Sequence, residues 1–197
     1  MQKEIQYDEV FDAQRHYRLL LDSMARPGKI NSLPEMELTV PKGIHAAGAL
    51  IGFALLNADV SYCAEGPSAY EVSGYLLVNT SARPASKEDA DYIFINSGAS
   101  PELLRQVKVG TLPYPEDSAT LVLAVDGLAY EGEGVGLTLT GPGVPGERKL
   151  CVAGATRAFF ETLAGINGEF PLGIDVILTD ADRRVAAIPR STKIGFS

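Results

Sequence analysis

The chain has 197 residues, 46% apolar and 21% charged, a balance that suits one soluble globular domain spanning 1–197. Seventeen Lys and Arg stand against twenty-five Asp and Glu, and the resulting net charge of −8 argues against nucleic acid as a partner. No apolar run is long enough to cross a bilayer and the opening "MQKEIQYDEV" has no signal-peptide core, so no membrane association and a cytoplasmic location are expected.

Tyr7, Val10, Phe11, Tyr17, Leu20, Leu21 and Met24 recur at helical spacing, which predicts an amphipathic helix over 8–25 with His16 on its polar side. Arg26-Pro27-Gly28 ends it, because proline cannot continue the helix and glycine permits a reversal. A second helix is predicted over 43–57, a strand over 59–64 and a third helix over 68–79. "DYIFIN" (91–96) reads as a strand, and Ser100 with Pro101 as the cap and first residue of a helix running to about Lys108. "ATLVLAV" (119–125) is another buried strand. Strands over 134–140 and 148–153 flank a glycine loop, and a helix over 155–165 follows. Strands over 173–179 and 184–189 form a hairpin across Asp180-Ala181-Asp182. Alternating helices and strands giving way to hairpins predict an α/β fold, a three-layer α/β/α domain on a mixed sheet. Cys63 and Cys151 read as buried free thiols, and His16 and His45 have no second ligand at zinc spacing, so no metal site is expected.

Gly141, Gly143 and Gly146 spell a dinucleotide fingerprint letter for letter. The chemistry requires the last glycine to open a helix whose amides hold the pyrophosphate. Here Pro142 and Pro145 interrupt the loop and "ERKLCV" continues as a strand, so Gly141 and Gly143 are read as a structural turn between antiparallel strands. Arginines before prolines, Arg26 in "MARPG" and Arg83 in "SARP", mark element ends. Arg190, Ser191, Thr192 and Lys193 follow a strand and offer either a phosphate or phosphonate site or a solvated strand exit. Glu116 and Asp117 read as turn residues. Asp175 lies inside an apolar strand and needs a partner, an arginine from a neighbouring segment being the simplest. The candidates for ligand or partner binding are therefore Arg26, Asp175, Arg190, Thr192 and Lys193, with no complete catalytic set among them.

"YRLLLDSMARPG" (17–28), "LLNADV" (55–60), "GTLPYPEDSATLV" (110–122), "LTGPGV" (139–144) and "FPLGIDVILTDADRRVAAIPRSTKIG" (170–195) occur in this order. Together they resemble the PhnH family of the carbon–phosphorus lyase system. That resemblance implies a subunit without catalytic residues of its own. It implies action with PhnG, PhnI and PhnL in making α-D-ribose 1-methylphosphonate 5-triphosphate from MgATP and a phosphonate. It further implies a core complex with PhnG, PhnI and PhnJ, a homodimer in isolation, and a fold similar to the large domain of pyridoxal-phosphate-dependent transferases without the cofactor. No cofactor is expected on the subunit itself, MgATP being substrate of the complex. The family's usual Pro-Arg-Thr-Thr-Arg ending reads Pro189-Arg190-Ser191-Thr192-Lys193 here, and Lys193 keeps the charge without the arginine fork. Two other readings stand beside this one. Ser191-Thr192-Lys193 suggests a self-sufficient pyridoxal-phosphate enzyme, and the basic turn alone suggests a small-anion binding module.

Overall fold

A computed structural model describes residues 6–197; the first five, part of the stretch read for a signal sequence, lie outside the described residues. In chain order the elements are α1 (Phe11–Ala25), β1 (Asn31–Ser32), α2 (Ala46–Leu55), β2 (Ser61–Glu65), α3 (Ala69–Thr80), β3 (Arg83–Pro84), β4 (Tyr92–Ile95) and α4 (Pro101–Leu104). After a 3-10 turn at Pro115–Asp117 come β5 (Thr120–Ala124), β6 (Gly127–Ala129), β7 (Val135–Thr140), β8 (Arg148–Ala153), α5 (Arg157–Asn167), β9 (Asp175–Thr179), β10 (Arg184–Ile188) and β11 (Lys193–Phe196).

A mixed seven-stranded sheet in the order β1-β10-β9-β5-β4-β2-β3 forms the centre. The strands from β9 to β3 run parallel, and β10 returns antiparallel to β9 in the expected hairpin. Alternate residues of the central strands serve two cores: Leu121 and Leu123 face one, Val122 the other. Burial on both faces explains why these strands read as unbroken apolar runs. Leu20 of α1, most of α2, and Val72, Tyr75 and Leu76 of α3 fill one core.

The opposite face departs from the plain α/β/α expectation. It is covered by α4, α5 and a second, four-stranded antiparallel sheet in the order β11-β7-β8-β6. Leu137, Leu139, Leu150 and Val152 of its central hairpin are buried together with Phe159 and Phe160 of α5. The sheet substitutes for a helix because its inner face is equally apolar.

Three further expectations are corrected. The helix at Ser100 does begin there, with the serine Oγ accepting from Leu103 N, but it ends at Leu104 rather than near Lys108. The Lys108 carbonyl instead accepts from Ala119 N at 2.9 Å and Val109 bridges Ser118, so this backbone is committed to a pairing that a helix excludes. The segment after Ile188 is not simply an exposed turn: Lys193–Phe196 becomes the edge strand β11 against β7. Finally, His16 is completely buried, whereas Phe11 and Leu21 are exposed. The ring of Tyr7 stacks on the imidazole at 5.7 Å and itself packs edge-on against Phe53, covering a face that periodicity assigned to solvent.

Burial lowers the His16 pKa below the free imidazole value, Arg15 acts in the same direction and Asp12 opposes them. The unfolded chain therefore binds a proton that the folded one resists. The stabilisation is complete above about pH 6.5 and is lost as pH falls below it. The urea midpoint of the wild type should drop more between about pH 7 and pH 5 than that of His16→Phe. Equal pH slopes for the two proteins would contradict this account.

Candidate functional site

The sequence candidates gather around the passage of the chain between the two sheets. Asp175 opens β9, and Pro189–Thr192 is a turn closed by Thr192 N donating to the Pro189 carbonyl at 2.9 Å. Within that turn the Arg190 amide donates to Asp175 Oδ1 at 2.7 Å, and its Nε donates to Oδ2 at 3.1 Å. Arg190 Nη2 also bonds Asp175 Oδ2, and Nη1 donates to the Pro115 carbonyl at 2.5 Å. The partner that Asp175 requires is thus Arg190. Its side chain is only 17% exposed and that of Asp175 14%, so Arg190 is not the solvated strand exit that its position after an apolar strand suggests. A charge buried to this extent needs such a set of bonds.

The glycine turn braces the same region. Gly141 has φ +126, and a Cβ there would lie 3.0 Å from the Ser191 carbonyl. Gly143 has φ +79, and a Cβ would lie 2.1 Å from the Ala25 carbonyl at the end of α1. These glycines admit close backbone packing, and the loop joins two antiparallel strands with no helix after it. It lacks the helix N-terminus that a dinucleotide requires. Arg148, at the start of β8, donates to the carbonyls of Arg26 at 3.0 Å and Pro27 at 2.8 Å, just past the C-terminal end of α1.

The structure therefore brings Arg26, Gly141, Gly143, Thr192 and Lys193 into one junction, with the Asp175–Arg190 pair at its inner end. Their charges are differently placed. Arg26 pairs with Asp22 at 2.5 Å, Lys193 is exposed on β11 and forms no ion pair with a described residue, and Thr192 Oγ1 is buried without a hydrogen-bond partner among them. Glu116 and Asp117 sit exposed in the 3-10 turn whose Pro115 carbonyl receives Arg190. Both cysteines are free and half-buried, and burial, reinforced by Glu65, pushes the Cys63 thiol up to about 11. Among the described residues no three His, Cys, Asp or Glu side chains cluster as metal ligands would.

Sequence reasoning missed two supporting residues. Arg148 carried no signal at all. Asp180 was read as a turn residue, yet it is 1% exposed and accepts from Asp182 N, Arg184 N and Leu128 N. Its position at the first residue of an Asp-x-Asp hairpin was the available clue, since such side chains bond the backbone ahead of them.

The family described as bacterial phosphonate metabolism protein (PhnH) matches residues 6–195. This chain belongs to the PhnH family. It is 31% identical over 189 residues to the alpha-D-ribose 1-methylphosphonate 5-triphosphate synthase subunit PhnH of Rhizobium meliloti (strain 1021), covering 95% of this chain and 92% of that one. It is also 31% identical over 183 residues to the C-P lyase subunit protein HtxG of Stutzerimonas stutzeri, covering 93% and 86% respectively. The junction residues all lie within the PhnH match.

Removing one member of the Asp175–Arg190 pair leaves the other largely buried without its counter-charge. Asp175→Asn and Arg190→Ala should each destabilise the fold by about 3 kcal/mol, with the double variant well short of the sum. Urea denaturation of the four proteins measures the coupling, and strict additivity would show that the pair is energetically idle. Gly143→Ala, forced against the Ala25 carbonyl at positive φ, should lower the melting temperature by several degrees, while a variant as stable as wild type would refute the close packing.

Proposed function

We propose that this chain is a non-autonomous subunit of the bacterial carbon–phosphorus lyase machinery for organophosphonate use. In this reading it acts with PhnG, PhnI and PhnL to make α-D-ribose 1-methylphosphonate 5-triphosphate from MgATP and a phosphonate. It joins a core complex with PhnG, PhnI and PhnJ, forms a homodimer when isolated, and works in the cytoplasm. It binds no cofactor of its own, and its fold is akin to the large domain of pyridoxal-phosphate-dependent transferases. MgATP is a substrate of the whole complex.

The observation that carries this reading is the near full-length PhnH match, together with the two relatives named as a synthase subunit and a C-P lyase subunit. The geometry of the junction supports it. Arg190 is committed to Asp175 and a carbonyl, and Arg26 to Asp22, so the basic turn is better suited to fixing a shape for partners than to holding a free anion. No helix among the described residues is long and apolar enough to cross a membrane, which accords with a soluble complex.

A deletion strain should fail to grow with a phosphonate as sole phosphorus source and recover when this gene is restored. Affinity capture of the tagged chain from such cells should bring down PhnG, PhnI and PhnJ. The purified subunit alone should not convert MgATP and methylphosphonate. Unaided turnover, or capture without those partners, would overturn the proposal.

A further inference from the structure

At the edge of the seven-stranded sheet opposite the junction's ion pair, the carboxyl ends of β2 and β4 part around a crevice. The chain leaves β2 through α3, which packs in the core of α1 and α2, and moves outward to β3. It leaves β4 through α4, which packs in the other core, and moves inward to β5. Right-handed crossovers running in opposite directions must lie on opposite faces, so the connections diverge between these two strands. Open α/β sheets hold ligands at such a divergence.

The crevice measures about 260 Å³ and follows this rule closely. Glu65 and Gly66 line it from the end of β2, Ser97, Gly98 and Ser100 from the end of β4, and Lys87 reaches it from the loop before β4. Glu102 and Gln106 complete its rim. Gly98 has φ +68, and no atom lies within 4 Å of the place a Cβ would take, so its backbone borders open space. Lys87 is half-buried and forms no ion pair with a described residue.

We infer that this crevice binds a small phosphorylated polyol. The Lys87 ammonium, the serine hydroxyls and the glycine-flanked backbone provide the donors that a phosphate needs. Glu65, Glu102 and Gln106 provide acceptors for hydroxyl groups, which a bare anion does not supply. Pockets for larger organic ligands occupy roughly 300–1,000 Å³, so the volume suits a ligand of about three to five carbons and excludes a whole dinucleotide. This site is separate from the junction and does not rest on the partner-dependent reading.

Calorimetric titration of the full chain with ribose 5-phosphate, ribose and inorganic phosphate tests the inference. Ribose 5-phosphate should bind saturably and more tightly than either fragment. Lys87→Ala should weaken it by about tenfold or more, and Glu102→Gln by a smaller factor, with melting temperatures unchanged. In the wild-type chain the Gly66 and Gly98 amide resonances should shift on titration, a readout that needs no variant. Absence of ribose 5-phosphate binding, equal binding of inorganic phosphate, shifts confined to other amides, or affinity unaffected by Lys87→Ala would each overturn the assignment.

Discussion

The ion pair between Asp175 and Arg190 is the joint on which the two sheets turn. Asp175 starts a central parallel strand, and Arg190 stands where the chain leaves that sheet for the second one, which it joins at Lys193. The same guanidinium reaches the Pro115 carbonyl and so fixes the approach to β5. A buried pair of this kind contributes little net stability compared with apolar residues of the same size. Its effect lies in geometry, because only one arrangement satisfies the carboxylate, the guanidinium and the turn amide together.

That joint belongs to a closed edge of the parallel strands. On the same edge Asp91 accepts from Ser61 N and Oγ and from Lys108 Nζ at 2.6 Å. Burial pushes its pKa up, but the bonds from Lys108 and Ser61 prevail and hold it below the usual carboxylate value. At the carboxyl edge Asp180 ties the β9–β10 turn to β6 through Leu128 N. These bonds close the sheet at three places and leave the divergence of β2 and β4 open.

The second sheet is held to the first layer by close backbone contact as well as by its buried apolar face. Gly143 lets the β7–β8 turn rest on the last carbonyl of α1, and Arg148 bonds the next two carbonyls from the same hairpin. The "GPG" string is therefore a packing device. Its resemblance to a phosphate loop arises because close backbone approach requires glycine in both settings.

Much of this architecture was legible in the residues. The first helix shows its period locally, the central strands show themselves as apolar runs, the Arg26-Pro27-Gly28 stop and the Ser100 cap act through neighbouring atoms, and the prolines after Gly141 rule out a helix start. The family blocks likewise lie in the linear order of the chain, and Asp175 announced its need for a cation because a charge in an apolar strand is costly. What tertiary structure alone decided is whatever depends on residues distant in sequence. His16 became a core residue because Tyr7 and Phe53 cover it, and the helix at Ser100 stopped early because Lys108 and Val109 found partners at 118–119. Lys193–Phe196 became a strand only because β7 offered an open edge. The crevice with Lys87 has no local signature, since it arises from two crossovers turning opposite ways around one sheet, and handedness is a property of the assembled fold.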